Sequence, residues 1–315
     1  MNLYSKNIAL FSKSICALVL LLSLQSVIAS EIAKIRYDSP VKTAQGTCIP
    51  LYLQSDTIIE YPMASFKDSS NRAIARCEGT ALPGELYTYL ILLPVPTDAR
   101  EGTASIHVTG VLEGRPFAKI IQVEITKFNF VSETIALNPT NTAIKTDTSV
   151  TRMDQINTLN EILNTSRPDA YVFLGPWDSP VKATRRTSLF GDQRIYKYSN
   201  GTQSTSVHWG IDFGVPTGTA VFSAGDGIVV MACERISTGL TIVIEHMSGV
   251  YSLYYHLDAL LTSEGEQVRT GTLIARSGST GLSTGPHLHW EFRVATIAVS
   301  PDWFTGKTFF YKAVP

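Results

Sequence analysis

The chain has 315 residues, which is enough for two domains with separate cores. Hydrophobic residues make up 44% of it and charged residues 17%, a balance that excludes a disordered polymer and favours globular packing. The formal net charge is −1, so the composition predicts neither a nucleic-acid partner nor attraction to an anionic membrane surface.

Residues 1–29 have the pattern of a signal peptide. Lys6 and Lys13 precede the apolar run 15–22, and a cleavage site is offered at 27–29. A membrane-spanning helix needs about 20 apolar residues, whereas polar residues interrupt this run from Ser23 onward. A cleaved signal is therefore favoured over a retained anchor. We expect an exported protein, in the periplasm, in the cell envelope or secreted, with no stable membrane span after cleavage.

Export determines how the cysteines are interpreted. Cys48, Cys77 and Cys233 lie beyond the signal, and the first two fall in one region of the chain. In an oxidising compartment these two can form a disulfide, but two small buried hydrophobic side chains are an equally good interpretation. Three scattered cysteines without a CxxC pair exclude a disulfide scaffold.

Short strands are predicted throughout residues 31–130. In one run Ala104, Ile106 and Val108 point to one face while polar residues point to the other. A turn at 113–116 joins this run to a second alternating run and predicts a hairpin, and the segment CIPLYLQ is a further strand. We expect an immunoglobulin-like β-sandwich that serves as an accessory domain and carries no chemistry.

Residues 131–170 are rich in threonine and asparagine, and residues 131–179 are expected to form a connector. Apolar residues recur at helical spacing between 153 and 163, and Thr151 with Asp154 resembles a capping box. This pattern predicts one amphipathic helix whose apolar stripe is a packing surface. Glycine-punctuated strand patterns then run through residues 180–305, which predicts a single β-rich domain, followed by a tail at 306–315.

Two clusters of histidine and carboxylate residues carry the candidate chemistry. In the strand-like segment HLH, His287 and His289 project to the same face, which is poor core packing but good material for a metal site. His208 and Asp212 lie four apart in an extended segment and offer an imidazole and a carboxylate. One imidazole from HLH would complete the three ligands of a catalytic zinc, which leaves the other HLH histidine and His256 for proton transfer.

A resemblance to a known family narrows these alternatives. The segments HWGIDFGVPTGTAV, YSLYYHL and GSTGLSTGPHLHWEF follow one another along the chain. In order and spacing they resemble the signatures of the lysostaphin-type (LytM) zinc metallopeptidases. The similarity extends upstream to TSLFGDQR and downstream to SPDWF, and so covers residues 186–303.

The resemblance implies a role for each site residue. His208, Asp212 and His289 would bind one Zn²⁺ per chain, and His287 and His256 would form the catalytic pair. Every position holds the residue type that the family requires, so an active enzyme is expected. Its substrate would be peptidoglycan, cleaved by endopeptidase action in stem peptides or cross-bridges.

Each catalytic histidine has an expected task. His287 would act as the general base that takes a proton from water and passes it to the leaving amine. His256 would orient the water or donate a hydrogen bond to the developing oxyanion.

Other polar residues near the motifs have less defined expectations. His246 is expected to be structural, and Glu291 either supports a ligand or lies at the mouth of the site. One of the tyrosines beside His256, Tyr254 or Tyr255, is a candidate for the groove lining. Three arginines before the site are candidates for binding acidic groups of stem peptides; they are Arg185, Arg186 and Arg194.

Three alternative functions remain to be weighed. The first is a non-catalytic LytM-type module that binds the wall or activates an amidase, against which the complete ligand set argues. The second is a lipoyl- or biotinyl-carrier domain, suggested by the rhythm of EGEQVRTGTLIARSG, but this hairpin has no lysine for cofactor attachment. The third is an adhesin in which the N-terminal β-sandwich performs the function. The sequence favours an exported zinc endopeptidase of the cell wall.

Overall fold

A computed structural model describes residues 35–165, 167 and 170–310. The predicted signal peptide lies outside the described residues. The protein is mainly β, as predicted, with three helices among the described residues. In this part of the chain no helix is long and apolar enough to cross a membrane.

The N-terminal strands form two sheets. The first contains β1 (Arg36–Asp38), β3 (Cys48–Gln54), β6 (Thr80–Ala81) and β7 (Thr88–Pro94), in the order β1-β3-β7-β6. The second contains β2 (Lys42–Ala44), β4 (Ile59–Lys67), β5 (Ala73–Glu78), β8 (Gly102–Leu112) and β9 (Arg115–Thr126), in the order β2-β9-β8-β4-β5. Side chains from both sheets share one buried apolar cluster.

Alternation fixes the faces of these strands. Ala104, Ile106 and Val108 on β8 are buried in the shared cluster, as predicted, and the β8–β9 hairpin turns at Glu113 and Gly114. Both residues of this turn have positive φ. By contrast every residue of β7 is buried, because its second face packs in the cluster of the C-terminal strands. The N-terminal unit is thus a pair of facing sheets; its immunoglobulin-like topology stays a prediction.

The connector contains one strand and two helices, whereas one helix was predicted. The strand is β10 (Ser132–Ala136), and the helices are α1 (Pro139–Thr146) and α2 (Val150–Asn164). Helix α1 was missed because it is short and rich in threonine and asparagine. It begins because the Asn138 side chain accepts a hydrogen bond from the Asn141 amide, with Pro139 as the first helical residue.

Helix α2 is the helix that the apolar spacing predicted. It begins two residues earlier than expected, because Ser149 rather than Thr151 caps it, by accepting a hydrogen bond from the Arg152 amide. Leu163 packs in a buried cluster with side chains from three strands of the C-terminal sheet, including Val243 and Leu253. The apolar stripe of α2 therefore covers one face of that sheet.

The C-terminal strands form one large and one small sheet. The strands of the large sheet are β11 (Arg186–Ser188), β14 (Gly210–Phe213), β15 (Ala220–Phe222), β16 (Gly227–Arg235), β17 (Gly239–Met247), β18 (Val250–Leu260), β19 (Gln267–Val268), β20 (Leu273–Ser277), β21 (Leu288–Val294) and β22 (Ile297–Val299). Its main order is β11-β14-β21-β18-β17-β16-β19. The short helix α3 (Pro301–Phe304) follows β22.

The small sheet joins the connector to the C-terminal strands. In it β10 pairs in parallel with β12 (Gln193–Lys197), which pairs in turn with β13 (Gln203–Val207). Residues of the predicted connector are thus hydrogen-bonded directly to the segment that precedes His208.

The cysteines of the N-terminal sheets are free thiols in this structure. Cys48 and Cys77 are both buried, and neither forms a disulfide. Burial raises the pKa of Cys77 to about 12, as expected for a thiol in apolar surroundings. This arrangement matches the interpretation as two small buried side chains.

Candidate active site

His208 lies in the link between β13 and β14 and is held there by backbone hydrogen bonds. Its amide donates to the Asp192 carbonyl and its carbonyl accepts from the Gly191 amide. Its ring Nδ1 lies 2.8 Å from the Leu189 carbonyl oxygen, an acceptor, so Nδ1 carries the proton. Nε2 therefore presents a lone pair to the interior of the site.

Asp212 and His289 are cross-strand neighbours. β14 pairs antiparallel with β21, and in this register Asp212 lies opposite His289. Asp212 Oδ1 lies 2.7 Å from His289 Nδ1 and 3.1 Å from His208 Nε2. Sheet register therefore brings the aspartate and the histidine together, and the link before β14 delivers the second histidine.

The cross-strand approach at this point requires glycine at position 210. A Cβ atom built there would lie 2.4 Å from the Trp290 carbonyl oxygen and 2.7 Å from His289 Nε2. We expect Gly210→Ala to lower the free energy of unfolding by about 1–3 kcal/mol through overpacking, and to displace the His289 ring. Denaturant unfolding and metal titration would measure both effects.

Gly285 offers a matched control for that substitution. A Cβ atom at Gly285 would meet nothing within 4 Å. Gly285→Ala should therefore leave both stability and metal binding near their starting values. Equal behaviour of the two variants would contradict the proposed crowding at Gly210.

Three electron-donating atoms converge without a proton between them. His289 Nε2 lies 3.0 Å from Glu291 Oε1 and so carries the proton, which leaves Nδ1 as the free lone pair. His289 Nδ1 and His208 Nε2 lie 2.9 Å apart, and both face Asp212 Oδ1. Two lone pairs and a carboxylate this close repel one another unless a cation lies between them. The residues thus fit a metal ion, and their N, N, O donor set suits zinc.

The pKa values of the cluster reflect the same excess of negative charge. Burial lowers the pKa of His289, but hydrogen bonds and charges from Asp212 and Glu291 outweigh it and raise the pKa to about 9. Burial raises the pKa of Asp212, yet the adjacent His208 and His289 rings hold it well below the usual range. A positive charge is favoured at this point, whether a proton or a metal ion supplies it.

A carboxylate–arginine pair supports His289 from behind. Glu291 is buried rather than at the mouth of the site, and its second oxygen accepts from Arg293 Nε at 2.8 Å and Arg293 Nη2 at 2.7 Å. Tyr255 stacks on the His289 ring at 5.3 Å between centroids, with an interplanar angle of 4°. Together these contacts fix the tautomer and the plane of the ring.

A second pair supports Asp212. Arg194 Nη2 donates to Asp212 Oδ2 at 2.7 Å, which leaves Oδ1 directed at the two histidines. Arg194 Nε donates to Glu133 on β10, also at 2.7 Å, and Ser188 Oγ donates to the same Glu133 oxygen. Of the three arginines considered for acidic substrate groups, Arg194 thus already has two carboxylate partners.

The two remaining histidines of the motifs lie beside the three donor atoms. His287 Nδ1 lies 2.8 Å from the Gly285 carbonyl oxygen, and His256 Nδ1 lies 2.7 Å from that of Thr280. Both rings therefore present an unprotonated Nε2, and their centroids are 4.7 Å apart. His287 Nε2 lies 3.8 Å from Asp212 Oδ1. The five predicted site residues thus come together in one cluster.

His256 has the stronger pKa shift of this pair. Burial, followed by repulsion from His287 and His289, lowers its pKa to about 3. His256 also has a positive φ of 60°, which breaks the strand's alternation and turns its ring towards His287. Burial likewise lowers the pKa of His287.

His246 has the environment of a structural histidine. It is fully buried, with Nδ1 at 2.8 Å from the Asp226 carbonyl oxygen and Nε2 at 2.7 Å from Ser252 Oγ. The edge of Trp177 packs against its ring. Tyr254 is equally buried and accepts from the Ala224 amide, so of the two tyrosines only Tyr255 reaches the site.

Burial of His246 makes stability depend on pH. Burial lowers its pKa to about 4 in the folded protein, against about 6.5 in an unfolded chain. The unfolded state therefore binds the proton more tightly. The free energy of unfolding keeps its full value above pH 6.5 and decreases as the pH falls towards 4. This residue alone should reduce the free energy of unfolding by about 2 kcal/mol between pH 7 and pH 5. Urea unfolding at both pH values would measure the change.

An independent measurement tests the same point without a substitution. The NMR signals of the His246 ring should keep their neutral positions down to about pH 5. A midpoint near 6.5 would contradict the expected shift.

Sequence reasoning missed several supporting residues. Glu133 lies 61 residues before Arg194, and no local pattern connects them. Arg293 was not singled out, although its place two residues beyond Glu291 on one strand puts both side chains on the same face. That spacing is the signal that would have found it.

The comparisons with known proteins cover the same segment. Residues 206–301 match the model of peptidase family M23. DD-carboxypeptidase/endopeptidase Mpg of Neisseria meningitidis serogroup B is 39% identical over 122 residues, which are 39% of this chain and 27% of the relative. Peptidoglycan DD-endopeptidase ShyA of Vibrio cholerae is 39% identical over 110 residues, 35% of this chain and 25% of the relative. The chain thus spans about a quarter of the length of these relatives.

A solved structure shares the fold over a longer stretch. A putative peptidase M23 from Pseudomonas aeruginosa superposes with a TM-score of 0.54 at 19% identity, and covers 79% of this chain and 89% of that one. At this identity the likeness concerns the fold alone. The family match, by contrast, rests on the segment that contains all five site residues and confirms the resemblance that the motifs indicated. The part of this chain that is similar to peptidase family M23 is therefore residues 206–301.

Proposed function

We propose that this chain is an exported zinc metalloendopeptidase that hydrolyses peptide bonds in peptidoglycan stem peptides or cross-bridges. Residues 180–305 would form the catalytic domain, and residues 31–130 an accessory domain. A relative that shares the M23 segment is named a peptidoglycan DD-endopeptidase. The observation that carries the proposal is the convergence of His208, Asp212 and His289, whose ligand atoms lie within 4.8 Å of one another.

The three converging residues would hold one zinc ion. When bound, the ion would supply Lewis-acid activation of water and of the scissile carbonyl. The protein's part is to keep the donor atoms deprotonated and oriented. Leu189 and Glu291 fix the histidine tautomers, and Arg194 holds the far oxygen of the aspartate.

His287 is the proposed general base. The Gly285 carbonyl holds its Nδ1 proton, so Nε2 faces the cluster as a proton acceptor. Nε2 would take a proton from the attacking water and deliver it to the nitrogen of the leaving amine. The lowered pKa keeps the ring neutral near pH 7 and ready to accept.

His256 is proposed to orient the attacking water. Because its Nδ1 proton is committed to the Thr280 carbonyl, its Nε2 can accept a hydrogen bond but has no proton to donate. This favours water orientation over the alternative of stabilising an oxyanion, which needs a donor.

Digestion of purified peptidoglycan tests the proposal. The full chain should release muropeptides with one additional cleaved peptide bond, detected by mass spectrometry. A chelator should abolish the products, and added Zn²⁺ should restore them. Absence of products under all conditions would instead support the alternative of a non-catalytic module that binds the wall or activates an amidase.

A further inference from the structure

We propose that Lys145 of the connector helix α1 binds a carboxylate group of the peptide substrate and so selects acidic stem peptides. This inference rests on the proposed function and adds a specificity-determining residue from outside the M23 segment, which begins at residue 206. It depends on where α1 lies, on the charges around Lys145 and on its lack of an acidic partner.

One face of α1 contacts the loop that precedes His287. Asn141 Nδ2 donates to the Ser283 carbonyl at 2.8 Å, and Ser283 Oγ lies 3.3 Å from His287 Nδ1. Lys145 follows Asn141 by four residues, so the two side chains share a face of the helix. The same face therefore contacts the loop of the proposed base at one end and carries the lysine at the other.

The Lys145 end of α1 contacts β12, the strand that carries Arg194, the partner of Asp212. Lys145 Nζ lies 4.3 Å from the centroid of the Tyr196 ring. Tyr196 follows Arg194 by two residues on β12, so both side chains project from the same face of that strand. Arg194 in turn contacts Asp212. Two side chains, Tyr196 and Arg194, thus lie between the ammonium group and Asp212, a proposed metal ligand.

Lys145 carries an uncompensated charge in a half-buried position. It forms no ion pair with a carboxylate among the described residues, whereas Arg194 pairs with both Glu133 and Asp212. Burial, followed by repulsion from Arg152 and Arg194, lowers the pKa of Lys145. An anion bound beside the ammonium group would relieve both penalties.

The ligand chemistry follows from these surroundings. A compact ammonium on a flexible stem binds a carboxylate as a point charge, and the Tyr196 ring restricts its position. The proposal places a carboxylate of the substrate peptide beside Lys145 while the scissile bond lies at the cluster. A neutral amide at the same place would gain less, because the charge-assisted contact is lost.

A pair of matched peptides tests the proposal directly. The probe is a stem peptide with free side carboxylates, compared with the same peptide in amidated form, with binding to the full chain measured by calorimetry. Lys145→Met should weaken binding of the free acid about tenfold and leave the amidated peptide nearly unchanged. Lys145→Arg should retain most of the preference. Lys197, exposed at the end of β12, gives the control Lys197→Met, which should change neither affinity.

Kinetics separate substrate selection from a merely structural role. With the cleavable free-acid substrate, Lys145→Met should raise KM about tenfold with kcat within about twofold. Equal losses on the acidic and amidated peptides, or no loss on either, would overturn the assignment. Absence of cleavage by the unaltered chain would refute the proposed function alone, because the binding measurement still decides the role of Lys145.

Discussion

Replacing His287 with alanine should reduce peptidoglycan hydrolysis by at least about a thousandfold, while the zinc content stays near one ion per chain. The ring is not among the three donors that converge within 4.8 Å, yet its Nε2 is only 3.8 Å from Asp212 Oδ1. Loss of a general base usually costs about 10²–10⁴ in rate, and here the same group would also protonate the leaving amine. Muropeptide release and elemental analysis of one preparation would give both numbers.

A surface histidine provides the control for this substitution. His107 lies on β8, in a different sheet from the strands of the catalytic cluster, and its Nε2 lies 3.2 Å from Ser105 Oγ. His107→Ala should keep both activity and metal. Retained hydrolysis in His287→Ala would refute its role as the base, and loss of metal in that variant would make it a ligand instead.

Replacing His289 with alanine should remove the metal and, with it, all activity. His289 supplies one of the three donor atoms, and its removal leaves only His208 and Asp212 of that group. Dialysed protein should contain less than about a tenth of an ion per chain, since catalytic zinc uses three protein ligands. Metal analysis after dialysis against a weak chelator would measure this, with circular dichroism as the check on folding.

Glu291→Gln gives a graded comparison with the loss of His289. It keeps the ligand but weakens the bond that fixes its tautomer, and such changes typically cost about 10–100-fold in metal affinity. Full metal occupancy in His289→Ala would contradict the proposed ligand set. Unchanged affinity in Glu291→Gln would show that Tyr255 stacking alone orients the ring.

The centre of the candidate site was predictable because its signals are local. His287 and His289 occur in HLH, and His208 lies four residues from Asp212. Strand alternation then decides which side chains share a face. Spacing could not show that Asp212 and His289 meet; the resemblance to a family implied it, and the pairing of β14 with β21 brings them together.

The supports of the site were not predictable for a physical reason. β10 and β12 pair in parallel across a connection of more than fifty residues, so the partnership of Glu133 with Arg194 leaves no trace in local periodicity. Helix α1 was hidden for a different reason: its eight residues form too short a segment for apolar periodicity to be recognised. Its capping asparagine and first-turn proline were the available signals.

The position of β10 and α2 limits where the C-terminal unit can be separated from the rest of the chain. A fragment that started at residue 180 would lack Glu133, and Arg194 would then hold the aspartate without its second anchor. Without Leu163, the apolar side chains of Val243, Leu253 and their neighbours would be exposed to water. Transfer of the C-terminal unit to another protein would therefore require a junction upstream of Ser132, and fragments trimmed to residues 206–301 should precipitate.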